Sequence, residues 1–326
     1  MITFFILTFI LLLLFRNKET LVLSKERCDF LKAFFPFLII TGHCSFFCQN
    51  TFFDDIRWSG PYIVAIFFFI SGYGLQYKYR HNQMDIKYLK NRTKAILLPI
   101  ILPIIIYVLL SCNGWGSFKH LCKNAIFHGN LILPYSWFVI VILLLYVSYY
   151  FIRRHLKNEI NFCIAYCAFL LVITVIFQRI GWDSSSFVSN IAFLLGIVYY
   201  DNESKMLRYV DNLGGGGVKQ LLIIIMGCIC LSYIHNSSLF PGFAFFAVPF
   251  WTIAFIGLFS TINVKSFKLA KLLKKYSYEI YLTQGISFSI LSFFELNNWC
   301  FLILSLILSL VLGTISQKVI LAITHR

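Results

Sequence analysis

A chain of 326 residues that is 59% hydrophobic and 18% aromatic, with only 13% charged residues, is too apolar for a soluble globular domain. Its net charge of +15 sits in alternate short loops rather than on one face, which argues against a nucleic-acid partner and for a topology signal matched to anionic lipid headgroups.

Apolar segments long enough to cross a bilayer, about 20 residues each, recur from end to end. They predict spans near residues 2–15, 33–50, 60–77, 95–112, 135–152, 161–178, 186–200, 219–235, 242–261, 278–294 and 300–322. So many apolar segments leave no soluble shell to bury them, and the expected fold class is all-α, a polytopic helical membrane protein. The first segment is short. Its cations, Arg16 and Lys18, follow the apolar stretch rather than precede it, so an uncleaved anchor fits better than a secretion signal. Residues 1–28 are read as that anchor and a cytoplasmic link, and residues 29–326 as one membrane domain.

Positive loops stay cytoplasmic. One set of alternate connections carries Arg16 to Lys32, Lys78 to Lys94, Arg153 to Lys157, Lys205 to Lys219 and Lys265 to Lys275, with Lys318 and Arg326 at the tail. Of the 28 basic residues only Arg57, Lys119, Lys123 and Arg179 fall on the other side. The expected placement is a multi-pass protein of the cytoplasmic membrane with its C-terminus inside. The longest loops are then external 113–134 and cytoplasmic 201–218. The latter contains Gly214-Gly215-Gly216-Gly217, which reads as a flexible connector because no strand leads in and no Lys-Ser or Lys-Thr follows.

Ten cysteines suggest metal or disulfide chemistry, but most lie within apolar spans, where a free thiol packs as a small hydrophobe. No Cys-x-x-Cys occurs and no metal is expected. Cys112 and Cys122 flank the external loop, placed to pair if that face is oxidising. Of the histidines, His81, His155, His325, His120, His128 and His235 fall in or beside connections or at the tail, and His43 alone lies well inside a predicted span.

Lys32 and His43 are eleven residues apart, three helical turns plus about 20°, so they share one helix face about 16 Å apart along the axis. A cation and an imidazole are costly in hydrocarbon, and their default reading is a site lining a cavity. Packing glue against a neighbouring helix is the alternative for His43. Asp29 precedes on the same face, either pairing with Lys32 or capping the helix start. An imidazole takes a proton from a hydroxyl or carries an acyl group, and a lysine at the cytoplasmic mouth reaches a phosphate. Acyl-coenzyme A has a matching length and charge polarity.

The stretch from Asp29 to His43 resembles the opening helix of the acyltransferase-3 family of integral membrane acyltransferases, marked by Arg or Lys, ten residues, then His. Phe67-Phe-Phe-Ile-Ser71-Gly-Tyr73 resembles the family's FFxxSGY signature. Tyr88 to Arg92 with Leu98-Pro99 resembles its basic stretch leading to a proline, Trp137-Phe138 its WF pair, and Ser277-Tyr-Glu-Ile-Tyr281 its late S-x-x-I-Y motif. The resemblance implies a ten-helix bundle, here with one extra N-terminal helix. It also implies transfer of an acyl group, usually acetyl, from cytoplasmic acyl-coenzyme A to a hydroxyl of a bacterial cell-envelope glycan, a lipid-linked sugar or a small molecule. His43 is then the base or transient acyl carrier. Lys32 steadies the coenzyme's phosphates or orients the catalytic site, and Arg92 is a second phosphate candidate or a plain topology residue. Ser71 and Gly72 permit close helix packing or line the acyl channel. Trp137 and Phe138 anchor an interface or stack on sugar, and Glu279 reads as an interfacial acid. Lys32 stands where many relatives have Arg, and Gln284 where many have a second His. A flippase or polymerase for lipid-linked glycans remains the alternative class.

Overall fold

The computed structural model describes residues 23–48, 59–112, 115–128, 132–212, 244–259 and 268–324, and all the regular structure in them is helical. Ten helices are labelled in chain order: α1 Lys25–His43, α2 Gly60–Arg80, α3 Ile86–Ser111, α4 Trp115–His128, α5 Trp137–His155, α6 Glu159–Arg179, α7 Ile191–Asn212, α8 Ala244–Phe259, α9 Lys268–Leu291 and α10 Asn298–Thr324. A single helical turn, Ser185–Val188, precedes α7. The predicted spans 2–15 and 219–235 and the four-glycine connector lie outside the described residues.

Side-chain caps start several helices. The Ser24 hydroxyl accepts from the Arg27 amide at the head of α1, the Asp85 carboxylate from Tyr88 on α3, and Asn158 from Asn161 on α6. Asp29 is therefore not the cap of α1. That helix starts eight residues before its predicted span and stops at His43, where a 3₁₀ turn, Cys44–Phe46, takes over. His43 is thus a helix terminus rather than a mid-helix residue. Pro36 does not break α1, which runs through it. The predicted external loop 113–134 holds a helix of its own, α4.

Four helices among the described residues, α3, α5, α6 and α10, are long and apolar enough to cross a membrane. They present large aliphatic side chains outward, with Leu109 77% and Ile160 70% exposed. A surface so rich in Leu, Ile and Val suits lipid rather than water. The chain is accordingly read as a polytopic helical membrane protein. Helices α1, α2 and α9 carry more polar residues and sit further inside, and with one face each of α3 and α5 they build the site.

Small residues set the tightest crossings. A Cβ on Gly72 would lie 2.0 Å from the carbonyl oxygen of Phe193, and one on Gly196 would lie 2.1 Å from that of Phe69. Helices α2 and α7 therefore meet backbone to backbone through a reciprocal glycine pair, which settles Gly72 as a packing residue. Helices α9 and α10 also approach closely at Gly313, where a Cβ would lie 2.7 Å from the Ile280 amide nitrogen, beside the backbone of Glu279. Along that seam the Thr283 hydroxyl bonds the Ser309 carbonyl at 3.0 Å, and Ser309 bonds Ser287 at 2.9 Å. Glu279, expected at an interface, is only 7% exposed and lies in this seam.

Charged groups collect at one end of the bundle. Arg80 bonds Asp201 and Glu159, each at 2.8 Å, and Arg153 bonds Glu159 at 2.6 Å. The Tyr73 hydroxyl donates to Glu203 at 2.9 Å, and Lys274 meets Asp29 at 2.6 Å. These contacts join the ends of α1, α2, α5, α6, α7 and α9 that the alternation of Lys and Arg places on one side. Cys112 and Cys122 are free thiols.

Candidate active site

A cavity of about 260 Å³ opens among α1, α2, α3, α5 and α9. Helix α1 supplies Lys32, Pro36 and Ile39, one stripe at i, i+4 and i+7. The next residue on that stripe is His43. Pro36, within α1, has no amide hydrogen to give the Lys32 carbonyl. Pro99 likewise has none to give Ala95 of α3, which also lines the cavity. The Ile96 carbonyl next to it accepts the Tyr278 hydroxyl at 2.9 Å.

Two cations reach this space. Lys32 is half-buried and Arg92 is exposed, with its guanidinium 5.9 Å from the centre of the Tyr146 ring. Among the described residues neither has a carboxylate partner, and no acid lines the cavity. The expected pairing of Asp29 with Lys32 does not form, because Asp29 pairs with Lys274 of α9 instead. Ser71 faces the cavity while its neighbour Gly72 faces α7, a turn of about 100° along α2. Aromatic and hydroxylated residues, Phe67, Phe138, Tyr146, Ser277, Tyr278 and Tyr281, share the remaining wall with the aliphatic Val64, Ile96 and Ile142. Phe138 stacks on Phe68 at 5.2 Å and meets the edge of Tyr281 at 5.8 Å, so it is part of the inner wall rather than an interfacial anchor.

Every stretch that carried the resemblance thus contributes to one cavity: Lys32, Phe67 and Ser71, Arg92, Phe138, and Ser277 with Tyr281. His43 does not line it. Its imidazole lies one turn beyond Ile39, with Nδ1 2.9 Å from Gln284 Oε1 and one face stacked on Tyr135 at 4.1 Å and 18°. Tyr135 has φ +64°, a left-handed conformation costly for a bulky residue, and Ile132 three residues earlier has φ +74°. The Tyr281 hydroxyl donates to the Tyr135 carbonyl and holds that turn. Cavity and imidazole are therefore joined through two residues, Tyr281 in the wall and Tyr135 over the ring.

Tyr135, Tyr146, Tyr278 and Gln284 were not singled out as site residues from the sequence. Tyr278 follows Ser277 directly, and Gln284 had stood out only as a departure from a common histidine. Tyr135 gave no signal, since a positive φ at tyrosine is not written in its neighbours.

Fold and site together define a polytopic helical protein whose helices surround a cavity that carries two cations and, among the described residues, no acid. Residues 26–317 match the acyltransferase domain of the acyltransferase-3 family, and the chain belongs to that family of membrane acyltransferases. No curated protein and no solved structure matches it.

Proposed function

We propose that the protein moves an acyl group, acetyl in the first instance, from cytoplasmic acyl-coenzyme A to a hydroxyl of a cell-envelope or exported polysaccharide. The observation that carries this reading is a cavity with two cations that have no carboxylate partner among the described residues, one helical turn short of an imidazole. Lys32 and Arg92 offer charge to the donor's phosphates. Arg92 has the fork that grips phosphate at two points and Lys32 the point charge. The enclosed space is a little smaller than the roughly 300–1,000 Å³ of sites that hold whole drug-sized ligands. It suits the slim pantetheine arm and acyl group, with the nucleotide remaining at the cationic mouth. Ser71 and Ser277 supply hydroxyls along that arm.

His43 acts at the far end. It takes the proton of the acceptor hydroxyl as the oxygen attacks the thioester carbon, and returns it to the leaving thiolate. General-base help of this kind contributes about 10²–10⁴-fold. The experiment is thioester consumption by the purified protein in detergent or nanodiscs with an oligosaccharide acceptor. Wild-type protein is expected to consume acyl-coenzyme A, and His43→Ala to lose nearly all activity while still inserting and folding. Full activity in His43→Ala would remove the base assignment. A wild type that binds glycan but never consumes thioester would favour a flippase.

A further inference from the structure

His43 is held by a side chain that the acyl-transfer reading leaves without a task. Gln284 is 0% exposed, its Oε1 lies 2.9 Å from His43 Nδ1, and its Nε2 is buried with no hydrogen-bond partner in the described structure. An amide meets a ring nitrogen in one of two ways. Its oxygen accepts from an Nδ1–H, or its nitrogen donates to a bare Nδ1. The first leaves the lone pair on the outer nitrogen, Nε2, where a proton can be received. The second places the ring hydrogen on Nε2 and disables it as a base. The geometry has the amide oxygen at Nδ1.

Among the described residues, no other side chain is placed to do what Gln284 does. Tyr135 stacks on the ring face, Phe46 lies tilted with its centre 6.3 Å away, and no charged group among the described residues acts on the imidazole. The next residue, Cys44 in the 3₁₀ turn, has a buried thiol that packs in a cluster with Ile40 and Phe288. His43 Nδ1 thus meets one neutral amide, 241 residues away in the chain.

We propose that Gln284 is a positioning residue that fixes His43 in its Nδ1–H tautomer, so that Nε2 is the atom that receives the acceptor's proton. The step rests on the acyl-transfer reading. The hydroxyl proton moves to Nε2, the oxygen's electron pair forms the new C–O bond, the C–S bond breaks, and the departing thiolate recovers the proton from Nε2. Gln284 exchanges no proton. Its oxygen accepts from Nδ1–H both before and after Nε2 is charged, so the ring keeps one orientation through the cycle.

The test reads the tautomer directly. Protein labelled with ¹⁵N-histidine, in nanodiscs, gives ring-nitrogen shifts that are assigned to His43 by their loss in His43→Gln. Wild type is expected to show a protonated-type Nδ1 and a lone-pair-type Nε2. Gln284→Leu is expected to shift the ring toward Nε2–H and to lower kcat about 10–100-fold without changing KM for acyl-coenzyme A. Gln284→Glu, an acceptor only, is expected to restore both the tautomer and most of kcat. An Nε2–H ring in wild type overturns the proposal, and so does an unchanged tautomer in Gln284→Leu. If Gln284→Leu does not fold, the wild-type spectrum and the Glu variant still decide. Absence of thioester consumption by wild type would sink the acyl-transfer reading alone, since the ring-nitrogen spectrum stands without it.

Discussion

The ammonium of Lys274 lies 2.6 Å from the Asp29 carboxylate, and this pair withdraws from Lys32 the one acid within a turn of it on α1. The ion pair is partly exposed, so its own stabilisation is small. Its consequence is an assignment of charge. Asp29 and Lys32 are three apart, within reach on a helix, and only the competing cation on α9 leaves Lys32 free for a ligand.

Lys274→Ala is therefore expected to weaken use of acyl-coenzyme A although Lys274 does not line the cavity. With its partner gone, Asp29 turns to Lys32, and KM for the donor rises several-fold with kcat held. Adding Asp29→Asn is expected to reverse that rise. Lys32→Ala itself should raise KM by about 10–100-fold, the loss of one charge-assisted contact of about 1.5–3 kcal/mol, and Lys32→Arg should be tolerated. Steady-state kinetics on the four variants decides the matter. If the Lys274→Ala rise survives Asp29→Asn, Lys274 acts on the donor directly and the competition does not exist.

How much of this was legible in the chain depends on range. The shared face of Lys32 and His43 is a local property of a 3.6-residue period and holds in α1, but only Lys32 of the two lines the cavity. The convergence of Phe67, Ser71, Arg92, Phe138, Ser277 and Tyr281 on one cavity follows from stretches that resemble one family and act together. What failed was partnership. Asp29 chose Lys274 over its helical neighbour, and Glu279 went into a seam opposite Gly313, because both choices depend on which helix lies alongside. Helix ends were misjudged for a related reason. Hydropathy marks the bilayer's thickness, whereas α1 and α9 continue past it at the charged end.

The crossing of α2 and α7 is expected to be the least tolerant contact in the bundle. A methyl on Gly72 or Gly196 would meet a backbone carbonyl at about two-thirds of a normal contact distance, and a carbonyl cannot rotate away as a side chain does. Overpacking a well-fitted interior typically costs about 1–3 kcal/mol, and a backbone obstacle belongs at the upper end. Gly72→Ala and Gly196→Ala should each lower the thermal midpoint in detergent by several degrees. Gly74→Ala, on the same helix with open space around it, should not. Equal behaviour of Gly72→Ala and Gly74→Ala would show that the helices have room to separate.

Arg153 anchors the charged end in a different way. It is 2% exposed, pairs with Glu159 at 2.6 Å and donates to Gln76 at 3.1 Å, with its guanidinium 3.9 Å from the centre of the Phe162 ring. Removing one partner of a buried pair costs about 3–5 kcal/mol when the other is left unmatched, but Glu159 keeps Arg80 at 2.8 Å and is itself partly exposed. Arg153→Leu is thus expected to cost less than that range, and Glu159→Gln to cost more than Arg153→Leu, since it strands a buried cation. Thermal unfolding of the two variants measures the order. The reverse order would mean that packing of the guanidinium on Phe162 outweighs its charge.

Tyr281 is where the cavity touches the imidazole's support. Its hydroxyl holds the carbonyl of Tyr135, whose left-handed backbone is unfavourable by roughly 1–2 kcal/mol, and Tyr135 in turn covers one face of His43. Tyr281→Phe keeps the wall's shape and removes only that bond. The strained turn then has less to hold it, the Tyr135 ring loses its fixed stacking, and His43 keeps Gln284 but not its lid. The expected result is a fall in kcat of about 10-fold with KM for acyl-coenzyme A near wild type, because Lys32 and Arg92 are untouched. Tyr135→Gly separates strain from stacking. Glycine adopts the positive φ without penalty, so this variant should be no less stable in a melt while losing activity as Tyr281→Phe does. Should Tyr135→Gly transfer acyl groups at the wild-type rate, the ring over His43 serves packing alone and Tyr281 has no part in presenting the imidazole.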